Sequence, residues 1–391
     1  MSSTKRHLLI TCLTTAGWAF AFGLGSQILT LRMDSLGWSD TIIGLNTAIY
    51  YLGIALAALW VPGIMPRLGK YCPGLGILFS GLTLLLFPWT DSLVMWFGLR
   101  LLNGMAGAMS IIPLETWLSR NAPSDQRSRH FGYYAVALTL GGAIGIGLGV
   151  PLYLDGSLLP YGLVVLATTV ASFVVIRGLP TLPKIVEEVG DGPLHIGSHF
   201  LSYGSAWAQG FLEGGLLAFL SLYLLWLGMS EHAAGGMMGV SLAGVIVFQI
   251  PVGWLADRFG QRAVLLGCYV LVLLGLTVMP FCQVGLWLAV WLFLVGAACG
   301  VFYPLGLALL GERMSAGALP KAYALYLALE CIGSVMGPAI MGQSRDWFGQ
   351  RSMFVVGAVA VGLVLLGYGL SVVRIGVKQS ATKSEQWKRA A

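Results

Sequence analysis

Charge is scarce in this sequence. Only 10% of the 391 residues are Asp, Glu, Lys or Arg, against 57% apolar ones, too few to clothe a soluble globule of this length in polar side chains. An ordinary soluble enzyme is excluded on that ground. Histidine is also sparse: His7, His130, His195, His199 and His232 all fall in loops or at the ends of apolar runs. A buried histidine relay is therefore disfavoured, with His199, at the start of an apolar run, the one exception. None of the six cysteines forms a C-x-x-C pair, and Cys12, Cys268, Cys282, Cys299 and Cys331 lie inside apolar runs, where a thiol packs as a small hydrophobe. No disulfide framework, metal site or cofactor is expected. The phosphate loop G-x-x-x-x-G-K-[ST] is missing, which disfavours an ATP-driven pump. Lys and Arg outnumber the acids 22 to 16 but are scattered singly, so they report topology and not a nucleic-acid partner.

Glycine and long apolar runs are what the chain has in abundance. Its 54 glycines suit helices that pack closely in lipid, and a helix needs about 20 mostly apolar residues to cross the hydrocarbon core. Twelve segments qualify: 7–33, 40–65, 72–90, 92–118, 131–154, 157–179, 198–227, 232–256, 262–281, 284–309, 321–344 and 352–375. The first lacks a small-residue cleavage site and reads as a span, not a removed signal peptide. Twelve crossings put both termini on one side. With the N-terminus inside, 18 basic residues face the cytoplasm, Arg32, Arg345 and Arg351 face outwards, and Arg100 lies within a span. The expectation is a multi-pass protein of the plasma (inner) membrane with both termini cytoplasmic. Most tryptophans flank span ends as an interfacial belt, while Trp96 and Trp207 lie deeper and are candidates for an internal cavity.

The chain is also internally repeated. The ten residues GWLADRFGQR at 253–262 have a degraded twin, PGIMPRLGKY, at 62–71, and Gly141 and Gly145 recur as Gly333 and Gly337, at offsets of 191 and 192 residues. Fixed-offset similarity over half a chain is the mark of a duplicated unit. Between the halves, 180–197 holds three prolines and a mixed charge set and reads as a linker. The residues after 376 form a polar, basic tail suited to a mobile segment against anionic headgroups.

The repeated motif places Gly253 where helices approach closely, Gly260 at a tight reversal, and Asp257 and Arg258 at the water boundary, where they can tie helix ends together or simply mark the inner surface. With G-x-LADR-x-G-x-R after an even-numbered span, twelve spans and the half-chain repeat, the sequence resembles the major facilitator superfamily of secondary transporters over essentially its whole length. The resemblance implies an all-α fold of two pseudo-symmetric six-helix bundles, 1–179 and 198–376, joined by a cytoplasmic linker, 180–197, and followed by a basic tail, 377–391. It implies a monomer working by alternating access on a small molecule, with protons as the coupling ion. The cytoplasmic gate motif is complete at Gly253, Asp257, Arg258, Gly260 and Arg262, whereas the first half keeps Arg67, Gly69 and Lys70 but has Pro66 where the aspartate belongs. Span four carries the family's intramembrane arginine with Asn103 and glycines after it. The antiporter glycine pattern is partial: Ile146 replaces its proline, which appears in span eleven instead, in Gly333–Pro338. PLETWLS before a basic loop is similar to a bacterial efflux-like branch.

Four charges fall within spans: Arg100, Glu115, Glu213 and Glu330. Each costs roughly 2.5–3.5 kcal/mol at a helix centre, so each needs a partner, a wet cavity or a bound proton. Glu115 sits near the inner end of its span and is expected to pair with Arg120 or Arg67. Gln209 and Glu213 share one helix face, as do Tyr323, Tyr326 and Glu330. None of the four charges recurs at the half-chain offset, which ties them to a substrate or ion path more than to bundle architecture. Arg100, Asn103, Gln209, Glu213, Tyr323, Tyr326 and Glu330 are the expected path. Arg100 would otherwise be a structural salt bridge to one glutamate. Proton-driven export of a small amphipathic or cationic molecule is the first functional expectation. The alternatives are proton-coupled uptake of a sugar or organic acid and a non-transporting membrane scaffold.

Overall fold

The structure, a computed structural model, describes residues 3–121, 127–153, 157–179, 199–313 and 319–390. Its elements are fourteen helices: α1 (Ser3–Ser35), α2 (Asp40–Ala58), α3 (Val61–Leu68), α4 (Tyr71–Leu86), α5 (Leu93–Asn121), α6 (Arg127–Leu152), α7 (Leu159–Gly178), α8 (Phe200–Trp226), α9 (Glu231–Phe259), α10 (Gln261–Val278), α11 (Leu286–Cys299), α12 (Phe302–Arg313), α13 (Leu319–Phe348) and α14 (Ser352–Ala390). No strand occurs among the described residues. Twelve of the resulting segments are long and apolar enough to cross a membrane, with α11 and α12 forming one of them and α3 none. Their outward faces carry bare hydrophobic side chains such as Leu166, Phe173, Val359 and Leu363, which hydrocarbon covers.

Proline explains both places where the helices depart from the expected spans. Pro62 supplies no N–H to Ala58 and its ring crowds that carbonyl, so α2 stops at Ala58 instead of running to residue 65, and α3 starts afresh. Pro304 does the same to Gly300, which separates α11 from α12. At the other end of the chain, the residues of the basic tail continue α14 as helix to Ala390. The linker expected over 180–197 lies outside the described residues.

The duplication is visible in local structure. Ser39 and Ser230 cap α2 and α9, each accepting from the backbone N–H three residues on. Gly69 and Gly260 both turn the chain with positive φ, 54° and 86°, a conformation that side chains with a Cβ resist. Packing repeats too. Gly141 and Gly145 of α6 lie against the carbonyls of Ala16 and Phe20 of α1, while Gly333 and Gly337 of α13 lie against those of Trp207 and Phe211 of α8. Each contact is reproduced 191 or 192 residues later, because only a hydrogen in place of a side chain lets the two backbones meet. The two six-helix bundles join along two equivalent pairs, α2 with α13 and α6 with α9.

Candidate functional site

Helix α8 is buried along almost its entire length, yet Glu213 in its middle is exposed. Its carboxylate therefore looks onto open space within the protein. The Gln209 amide, one turn earlier, donates to Glu213 Oε2 at 3.0 Å. Across the gap stands Tyr51 of α2, close enough to feel the charges of Glu213, Glu330 and Arg100 together. Because Tyr51 belongs to the first bundle and both glutamates to the second, this space lies between the halves.

Glu115 joins the group from α5. Glu330 lies within electrostatic reach of both Glu213 and Glu115, and Tyr303 of α12 lies within reach of Glu330 and Glu115. Of the two expected partners of Glu115, Arg67 makes no ion pair with it and the Arg120 side chain lies outside the described residues; the Tyr134 hydroxyl of α6 donates to Glu115 at 3.3 Å. Helix α5 continues to Asn121, so Glu115 is more than a turn inside its end and points across the bundle. Glu213 and Glu115 thus both lie within electrostatic reach of Glu330, and among the described residues none of the three makes an ion pair. Tyr51, Tyr134 and Tyr303 were not among the expected residues, since a tyrosine in an aromatic-rich span carries no pattern of its own.

Arg100 is 3% exposed and stacks over the Tyr50 ring, with its guanidinium carbon 4.6 Å from the centroid. The structural salt bridge is not present. Among the described residues Arg100 makes no ion pair, and its Nε finds no hydrogen-bond acceptor. A desolvated cation–π contact returns about 2 kcal/mol, comparable to the 2.5–3.5 kcal/mol that insertion costs. The guanidinium borders a small pocket with Phe22, Ser26, Thr30, Thr47, Tyr51, Leu217 and Ala218.

Three expected residues turn elsewhere. The Asn103 amide donates to Ser80 O and Thr83 Oγ1, both at 2.9 Å, and ties α5 to α4. Tyr326 is fully buried, with its hydroxyl 3.1 Å from Ser205 Oγ and donating to Tyr303 O at 2.8 Å, so it locks α13 to α8 and α12. Trp96 is also structural: its indole donates to Thr90 O at 2.7 Å and packs edge-on against Trp38 and Phe87. Tyr323 is 39% exposed, towards the face that carries the termini. Trp207 is half-buried against Phe211.

The two ends of the cavity differ. Away from the termini, Asp346 of α13 accepts from the backbone N–H groups of Asp40 and Thr41 at 2.9 and 2.8 Å, capping α2 across the interface. Arg345 lies beside Asp40 with Nε 3.1 Å from Oδ2, at an angle that makes this an ion pair without an aligned hydrogen bond. Pro338 seats its carbonyl under Gly44, and Gly147 of α6 seats its own under Gly235 of α9. That end is sealed. At the end carrying the termini, Arg67, Asp257, Arg258 and Arg262 are exposed, and no ion pair among the described residues links them across the halves. Lys70 stacks on Tyr71, Arg258 on Phe259 and Arg262 on Tyr368. The close helix approach expected at Gly253 is absent, since a Cβ there would meet nothing within 4 Å. The hydrogen bonds, ion pair and backbone contacts named between the halves are thus gathered at the end away from the termini.

Two six-helix bundles around a charged cavity, closed at one end, define a polytopic membrane transporter. The chain belongs to the Major Facilitator Superfamily, whose sequence pattern matches residues 8–229 and 200–390. It is 27% identical over 366 residues to the uncharacterized MFS-type transporter YfkF of Bacillus subtilis, covering 90% of this chain and 92% of that one. It is also 27% identical over 386 residues to the uncharacterized MFS-type transporter YE1530 of Yersinia enterocolitica, covering 94% and 96%. Among solved structures it shares the fold of a bacterial homologue of the human lysosomal transporter Spinster in an inward-facing and occupied conformation, with TM-score 0.73, 15% identity and coverage of 93% and 96%. The D-xylose–proton symporter matches with TM-score 0.74 at 13% identity, covering 94% and 97%.

Proposed function

We propose that the protein is a proton-coupled exporter of a small amphipathic or cationic molecule, working by alternating access as a monomer in a bacterial inner membrane with both termini in the cytoplasm. The observation that carries this reading is the group formed by Glu115, Glu213 and Glu330, in which Glu330 lies within electrostatic reach of the other two and none of the three makes an ion pair among the described residues. Carboxylates so placed are relieved either by binding protons or by holding a cationic ligand, and exchanging one for the other is what couples export to a proton gradient. The open face then receives substrate from the cytoplasm, and the rocking of the bundles about α2–α13 and α6–α9 delivers it to the other side. The concentration of basic residues on the side of the termini supports that orientation. Uptake of an acid or sugar uses the same machinery in reverse and is favoured only by Arg100, one cation against three carboxylates.

Everted membrane vesicles test the proposal. Candidate cations should accumulate when an inside-acid gradient is imposed, and a protonophore should abolish the accumulation. Glu330→Gln, and Glu213→Gln beside it, should eliminate gradient-driven accumulation while leaving passive exchange, because the amide mimics the protonated acid. Gradient-driven transport at the wild-type rate in the double variant would refute proton coupling through these residues. Full function without any measurable solute movement would support the scaffold reading.

A further inference from the structure

We infer that the ends of α4 and α7 at the face carrying the termini form a binding site for the phosphate headgroup of an anionic phospholipid, with Lys70 and Arg177 as its cations. The two helices pack side by side there: Gly74 lies against Ile176 and Gly81 against Thr168, and the Ser172 hydroxyl donates to the Gly74 carbonyl at 2.8 Å. Lys70 immediately precedes α4 and Arg177 lies in the last turn of α7, so both stand at the same end of one seam. Neither has an acid to answer it. The sequence holds no Asp or Glu from 41 to 90 or from 156 to 186, and no ion pair among the described residues involves either cation. The adjoining α3 and the first turns of α1 add only Arg67, Lys5 and Arg6. Arg177 lies over the Phe173 ring at 5.2 Å and Lys70 over the Tyr71 ring at 5.9 Å. A ring face carries no net charge, so both cations remain unneutralised.

The second half arranges the same end differently. The residues 191 positions after Tyr71 and Arg177 are Arg262 of α10 and Tyr368 of α14, and there the guanidinium stacks across the seam, 5.0 Å from the ring centroid. In the first half the two residue types are exchanged between the helices, and Lys70 stands where the second half has Gln261. Two cations therefore gather where the second half has one, and among the described residues no ring contact joins Arg177 to Tyr71. Their surroundings are those of a bilayer boundary. Tyr71 and Phe173 are 52% and 59% exposed, and deeper in the span the same helices bare Leu82 and Leu166, surfaces that acyl chains cover. A phosphodiester at this boundary offers two oxygens, which a guanidinium fork takes together and an ammonium takes as a point charge. The lipid must carry net negative charge, since a choline group would answer the phosphate from within the lipid itself.

Native mass spectrometry of the full chain released from detergent tests this with two probes that differ only in headgroup, dioleoyl phosphatidylglycerol and dioleoyl phosphatidylcholine. The first phosphatidylglycerol should bind more tightly than the first phosphatidylcholine. Lys70→Gln and Arg177→Gln should each weaken it about five-fold, the worth of one basic residue at an anionic surface, and together about 25-fold. Lys70→Arg should keep it. Arg351→Gln removes an exposed cation at the opposite face and should change nothing. Equal binding of the two lipids would mean that other groups neutralise the pair and would overturn the proposal, as would a double variant that holds phosphatidylglycerol as wild type does. A second measurement needs no variant. A phosphatidylglycerol carrying a diazirine beside its headgroup, photolysed with the wild-type protein in nanodiscs, should label peptides of α4 and α7. Labelling confined to other helices would refute the site, and abolition of labelling by millimolar inorganic phosphate would assign it to the free ion and refute it equally. None of these readings involves solute movement, so the lipid site and the proposed transport function stand or fall separately.

Discussion

Asp346→Ala should loosen the seal on the side away from the termini. The wild-type carboxylate holds the first two N–H groups of α2 at 2.9 and 2.8 Å from the opposite bundle, and it interacts favourably with the positive end of that helix. Two charge-assisted hydrogen bonds would contribute about 1.5–3 kcal/mol each if buried. Asp346 is exposed, so water replaces much of that on opening, and about 1–2 kcal/mol for the pair is the reasonable figure. Arg345, Asp40 and the Gln350 amide, which donates to Asp40 Oδ2 at 3.3 Å, remain behind as a partial latch. A contact made in one state and absent in the other shifts their ratio by its full value, here roughly 5–30-fold towards opening on this side. Spin labels at Ser92→Cys and Gln283→Cys, exposed residues on the two bundles at that face, report the opening by double electron–electron resonance. An unchanged distance distribution in Asp346→Ala would show that the cap decorates the interface without holding it, and the reasoning would fail.

Other expectations follow from the same geometry. Asp257 is exposed and makes no ion pair among the described residues, so a gating contribution would belong to the opposite state, and Asp257→Asn should enrich the conformation described here by a factor that roughly 1.5–3 kcal/mol implies; unaltered distances between labels on the two terminal-side motifs would refute this. Gly337→Val drives a methyl group into the Phe211 carbonyl, and fluorescence-detected size exclusion should show loss of most folded protein, since backbone leaves no room for the repacking that limits overpacking to 1–3 kcal/mol. Tyr326→Phe removes the hydroxyl that donates to the Tyr303 carbonyl and meets Ser205 Oγ, which keeps its bond to the Ser202 carbonyl, and should cost about 1 kcal/mol in thermal stability, with transport per folded molecule unchanged if the role is structural.

Span number, the half-chain repeat and the gate motif were legible from residue types alone, for a physical reason. Hydrocarbon demands about 20 apolar residues per crossing regardless of neighbours, and a turn that needs positive φ or a backbone contact that tolerates no side chain demands glycine wherever it recurs. Gly69 and Gly260, and the backbone contacts of Gly141 and Gly145 repeated in the other half by Gly333 and Gly337, are such cases. Even the breaks at Ala58 and Gly300 are set locally, each four residues before a proline, although the long apolar runs on either side hid them.

Which polar residue faces which space was a different matter. Asn103 lies three residues after Arg100, close to one face of α5, yet it bonds to α4 while Arg100 reaches a pocket shared by α1, α2 and α8. Tyr323 and Tyr326 are separated by one turn, yet one is exposed and the other locked against two helices. Glu115, read as a boundary residue, accepts from Tyr134 of α6 and lies within electrostatic reach of Glu330. Helical periodicity assigns a side chain to an arc of its own helix, but the cavity is bounded by helices from both halves, and their azimuths are set by packing between segments far apart in the chain. The sequence by itself determined twelve spans, their pairing into two related bundles and the identity of the charges within the spans. Only the tertiary structure decided that Glu115 and Glu213 come within electrostatic reach of Glu330, that Arg100 stacks on Tyr50 and makes no ion pair among the described residues, and which end holds the contacts between the halves, because each of these depends on how helices far apart in the chain meet.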